Sequence, residues 1–124
     1  MDIFFRKHPG VLIVSVSGDI DHHTAETIKR MTERELYVTG SKNLIFDMSE
    51  VSFMDSSGIG MLIGRYKTVM ALGGRTAVAA PSKEADRLME MSGIYRIIKP
   101  YPTVDSALMN IGREWLIWKT VWHW

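Results

Sequence analysis

Asn43-Leu44-Ile45-Phe46-Asp47-Met48 is apolar on successive positions and reads as a buried strand, whereas the run from Ser57 to Leu72 repeats its apolar residues with helical spacing. Between them stands Phe53-Met54-Asp55-Ser56-Ser57-Gly58-Ile59-Gly60. A junction of this kind leaves the N–H groups of the first helical turn without partners and turns the positive end of the helix dipole toward whatever lies there. Ser56 therefore stands where a phosphate can be attached or held.

The flanking chain predicts the rest of the architecture. Ile3 to His8 and Val11 to Ser17 are strand-like and are separated by the turn signal Pro9-Gly10, so a hairpin is expected. Asp21 is the expected N-cap of a helix over 22–37, whose projection places Ala25, Ile28, Thr32 and Leu36 on one side and His23, Glu26, Arg30 and Tyr37 on the other. In the helix after the junction, Ile59, Leu62, Ile63, Tyr66, Val69 and Met70 form the apolar stripe. Gly60 and Gly64 lie off it. Each glycine costs about 1 kcal/mol relative to alanine inside a helix, and together they leave a smooth outer face that another backbone can approach closely.

Thr76 to Ala80 is the next expected strand, followed by a helix carrying Ala85, Leu88 and Met89 and closed by Ser92-Gly93; Ile97-Ile98 is a further short strand candidate. Thr103 is the expected cap of a last helix whose stripe runs through Val104, Ala107, Leu108, Ile111, Trp115, Trp118 and Trp122. Alternation of strands and helices after a hairpin predicts an α/β domain: a mixed sheet of about four to five strands packed with about four helices. The domain is expected over residues 1–112, with 113–124 as a Trp-rich helical extension. Leu116, Ile117, Val121 and Trp124 project away from the stripe, so self-association through this tail is expected.

Composition narrows the function. The 124 residues carry 15 basic and 14 acidic side chains, a balance that implies no general attraction to nucleic acid or anionic lipid. Cysteine is absent, which removes disulfides and thiolate metal sites and fits a reducing compartment. The start lacks the apolar core of a signal peptide, and no apolar run approaches the roughly 20 residues that span a bilayer. A cytoplasmic protein is expected.

Catalytic readings fail on spacing. A serine hydrolase built on the Asp55-Ser56-Ser57-Gly58 turn needs glycines on both sides of the nucleophile, and Met54 and Asp55 precede Ser56. Nucleotide binding through Gly58-x-Gly60 would need a third glycine where Ile63 stands, or a Gly-Lys-Ser/Thr sequence, which is absent. His22 and His23 point about 100° apart on a helix, and His22 with Glu26 makes only two ligands, so no metal or other cofactor is expected.

Asp21-His22-His23-Thr24-Ala25-Glu26, the Phe53 to Gly60 stretch, Gly64-Arg65-Tyr66-Lys67 and Met91-Ser92-Gly93, in this order and spacing, resemble the anti-sigma factor antagonists of the STAS family, and the first resembles its sporulation branch. The similarity covers about residues 3 to 112. It implies a compact α/β fold without catalytic activity. It also implies phosphorylation of Ser56 by a partner anti-sigma factor, a serine kinase that uses ATP and Mg2+, and dephosphorylation by a dedicated phosphatase. Ser57 is adjacent, and the resemblance alone selects Ser56 as acceptor and leaves Ser57 as the cap. The expected docking surface comprises Asp21, His22, His23, Thr24, Asp55, Ser56, Ser57, Gly58, Gly60 and Gly64, and a phosphate there would add about −1.5 to −2 charges.

Overall fold

The structure, a computed structural model, describes residues 1–111. Strands β1 (Asp2–His8) and β2 (Val11–Ile20) form the antiparallel hairpin across Pro9-Gly10, and β3 (Asn43–Met54), β4 (Thr76–Ala79) and β5 (Lys99–Tyr101) follow in parallel to give a mixed sheet in the order β1-β2-β3-β4-β5. Helices α1 (His22–Thr39), α2 (Ser56–Ala71) and α3 (Lys83–Ser92) lie between the strands. A last helix, α4, is described over 104–111.

Period-two alternation in the central strands decides which layer each helix joins. Leu12, Val14, Val16, Leu44, Phe46 and Val78 point to the face covered by α1, α2 and α3, while Val11, Ile13, Ile45, Ala77 and Ala79 point to the face covered by α4 through Ala107 and Ile111. Being covered on both faces is why residues 11–14 of β2 and 44–46 of β3 are apolar on successive positions. The helical projections agree with the structure over α1, whose buried residues are Ala25, Ile28, Thr32 and Leu36. Thr103 caps α4 as expected, accepting from the Ser106 N–H at 3.0 Å while its own N–H donates to the Ser106 hydroxyl at 3.2 Å. The Trp115, Trp118 and Trp122 stripe and the expected extension 113–124 lie outside the described residues.

Several expectations are corrected. Strand β3 does not stop at Met48 but continues to Met54, and β2 continues with it past Ser17, pairing Asp19 with Phe53 and Ile20 with Met54. Strand β4 pairs with β3 only as far as Asp47, so beyond that point β3 has a single neighbour and its side chains lose the buried pattern that betrays a strand. Ile97-Ile98 is not a strand; a 3-10 turn at Ile94–Arg96 precedes it and the strand is Lys99–Tyr101, where Pro100 is tolerated because the strand is at the sheet edge. Met70, expected in the α2 stripe, is 49% exposed, whereas Met61 and Arg65 are buried. The cause is α1, which packs on α2 from the side and rotates the buried arc toward itself.

Gly74 closes the connection from α2 to β4. Its N–H donates to the Val69 carbonyl at 2.9 Å, and a Cβ on it would overlap the Lys42 carbonyl oxygen. This glycine is fixed by backbone contact.

Candidate functional site

The extended ends of β2 and β3 carry the starts of α1 and α2 side by side, and the Asp55 N–H donates to the Ile20 carbonyl at 3.2 Å. Each start is capped by an aspartate. Asp21 accepts from the Thr24 N–H at 2.9 Å while the Thr24 hydroxyl accepts from the Asp21 N–H at 2.8 Å, a reciprocal box that fixes the Asp21 to Thr24 loop. The Thr24 backbone N–H, and then its hydroxyl, hold the exposed Asp21 carboxyl below the usual carboxylate range.

At the second start the cap is Asp55 and not Ser57: its carboxylate accepts from the Ser57 N–H at 2.8 Å. Ser56 is therefore the first residue of α2 and Ser57 the second. A carboxylate outcompetes a neighbouring hydroxyl for helix-start donors because it brings charge as well as acceptor lone pairs. Ser56 is exposed, and among the described residues no hydrogen bond uses its hydroxyl. Asp55→Ala is expected to lower the free energy of unfolding by about 1 kcal/mol, read as a lower urea midpoint at unchanged slope; an unchanged midpoint would show that Asp55 is not the cap.

The other expected residues divide. His22 and His23 are exposed at the start of α1, and no hydrogen bond among the described residues joins either to Ser56 or Ser57, so a serine–histidine pair is not assembled. His22, Ser57, Gly60 and Gly64 line a groove of about 300 Å³ between α1 and α2, with Glu26 and Lys29 on the α1 side. A Cβ built on Gly60 or Gly64 meets nothing within 4 Å, so neither glycine serves internal packing. Gly58 is placed differently from the expectation. It is buried, and a Cβ there would meet Met54 and come within 3.2 Å of Ile20 Cγ2, so it lets α2 settle on the β2–β3 ends and offers no surface. Among the described residues no group of three or more His, Asp or Glu side chains is placed to hold a metal ion.

Arg65, part of the Gly64 to Lys67 stretch, stands outside the expected docking surface. It is 5% exposed and forms part of the groove, paired through Nη2 with Glu33 Oε1 at 2.9 Å. Burial draws its proton affinity down, against the opposing pull of Glu33 and Glu26. A signal for it existed: at 100° per residue Arg65 projects into the same arc as Gly58, Met61, Leu62 and Val69, a charge inside the buried stripe.

The sequence and the fold have known relatives. The STAS domain profile matches residues 3–107. The anti-sigma F factor antagonist of Paenibacillus polymyxa is 33% identical over 111 residues, covering 90% of this chain and 95% of that protein. The anti-sigma-B factor antagonist of Listeria monocytogenes is also 33% identical, over 69% of this chain and 75% of its own length. The solved structure of the anti-sigma factor antagonist SpoIIAA in its unphosphorylated form superposes with a TM-score of 0.75 at 25% identity, covering 86% of this chain and 93% of that one. No helix among the described residues is long and apolar enough to cross a membrane. With a family match over residues 3–107 and a relative 33% identical over nearly its whole length, the chain belongs to the STAS-domain family, among its anti-sigma factor antagonists, which are non-enzymatic regulators.

Proposed function

We propose that the unmodified chain binds an anti-sigma factor that is a serine kinase, thereby releasing a sporulation sigma factor in the cytoplasm, and that phosphorylation of Ser56 ends the binding. The kinase supplies ATP and Mg2+, and a serine phosphatase restores the unmodified form. The observation that carries this reading is the cap at Asp55: a serine used as a cap would be occupied, whereas Ser56 has an exposed, uncommitted hydroxyl next to Ser57, which lines the α1–α2 groove. The sporulation branch is favoured over the general-stress branch because equal identity extends over 90% of the chain for the sigma F relative and 69% for the sigma B relative.

The charge change is of the right kind. A phosphate on the first residue of α2 faces the positive end of the helix dipole, so the domain itself tolerates it. Pressed against a partner, it would bring about −1.5 to −2 charges beside Asp55 and lose its water. Incubation with the kinase and ATP followed by mass spectrometry of the modified peptide should place a single phosphate on Ser56. Phosphate on Ser57, or none, would overturn the assignment.

A further inference from the structure

Arg65 presents a charged group with fewer partners than it has donors. Its guanidinium is buried at the seam of α1 and α2, and its pairing with Glu33 engages Nη2 alone; the Glu33 side chain is itself 41% exposed. Among the described residues nothing accepts from Nε or Nη1. Dry donors on a cation without acceptors are costly, and they destabilise the folded arrangement unless something completes them.

The groove beside Arg65 supplies the access. Gly60 and Gly64 stand one turn apart on its α2 side, and with open space where their side chains would project, a second backbone can run close along α2 in the groove that Arg65 also lines. Lys29 on the opposite side adds a positive charge, while Glu26 and Glu33 are already present to oppose a dianion. A group with one negative charge and several acceptor lone pairs suits this setting better than a phosphate does.

We propose that Arg65 is a receptor for a carboxylate, an aspartate or glutamate side chain that the anti-sigma factor carries into the α1–α2 groove. This rests on the binding role proposed above. Arg65 would then anchor the partner at a point about two and a half helical turns from Ser56, so that the phosphate acts on the rim of a contact whose centre is this ion pair.

Calorimetric titration of the anti-sigma kinase against three chains tests it. Arg65→Met should bind at least tenfold more weakly than wild type with a melting temperature no lower, and its binding should depend less on salt. Glu33→Gln should bind at least as tightly as wild type, because it leaves Arg65 in greater need of an acceptor. Wild-type affinity in Arg65→Met, or equal losses in both variants, would overturn the proposal and make the Arg65–Glu33 pair an internal strut. Should Arg65→Met fail to fold, Arg65→Lys keeps the charge with fewer donors and should bind several-fold more weakly; wild-type affinity there would equally overturn it. Absence of binding by the wild-type chain would remove the binding role together with this proposal, whereas wild-type binding with an unaffected Arg65→Met removes this proposal alone.

Discussion

Ser56→Asp is expected to bind the anti-sigma kinase about 100-fold more weakly than the unmodified chain, and Ser56→Ala to bind as the unmodified chain does. Removing an exposed hydroxyl that makes no hydrogen bond among the described residues takes little from either partner. Adding a carboxylate places an unpaired charge in the contact, at a penalty of about 3 kcal/mol at the low end for an uncompensated buried charge. The full switch, from nearly all bound to nearly all free, needs about 5.5 kcal/mol, and the phosphate with its greater charge and size is expected to approach that figure. Stability should not follow affinity. A carboxylate in the first turn gains about 0.3–1 kcal/mol from the helix dipole, partly offset by Asp55 beside it, so the melting temperature of Ser56→Asp should be level with wild type. Calorimetry and thermal melts on the same samples separate the two. Equal affinities for Ser56→Ala and Ser56→Asp would remove the electrostatic mechanism, and a melting temperature that falls with affinity would trace the loss to the fold.

What could be read in the sequence was whatever depends on local chemistry. Asp21 at the start of α1, the Ala25, Ile28, Thr32 and Leu36 stripe, and Thr103 at the start of α4 each follow from a capping side chain or a single-face period, and the structure agrees with all three. What escaped depends on a neighbour distant in sequence. The extension of β3 to Met54 is set by pairing with the equally extended β2, and nothing within Ser49 to Phe53 announces it. Gly58 looked like its neighbours Gly60 and Gly64 until Ile20 and Met54 were seen against it. Asp55 and the two serines compete for the same helix-start N–H groups, and the carboxylate takes the Ser57 N–H. Arg65 was legible as a charge in an apolar arc, but its meaning required α1 and Glu33.

The glycines of α2 and its end give the second large effect, and its signs differ from site to site. Gly60→Leu and Gly64→Leu should each raise the free energy of unfolding by about 0.5–1 kcal/mol, because leucine is the better helix former and its Cβ enters open space. For a domain of this size that corresponds to a rise of about 2–5 °C in melting temperature. The same substitutions should weaken binding to the kinase by about 1–3 kcal/mol, the usual consequence of forcing extra methylene groups into a close contact. Gly74→Ala is expected to do the reverse: its Cβ collides with the Lys42 carbonyl, a backbone group with little freedom to move, so the fold loses about 1–3 kcal/mol or more. Whatever Gly74→Ala does to binding should follow from the unfolded fraction alone. Gly58→Ala should fall between them, since the Met54 side chain it meets can swing aside. Urea titrations and calorimetry on the four variants decide the matter. Stability and affinity that fall together in Gly60→Leu would show that the glycine serves the domain's own packing, while stability that rises as affinity falls can arise only if the space above that helix is filled by something other than this chain.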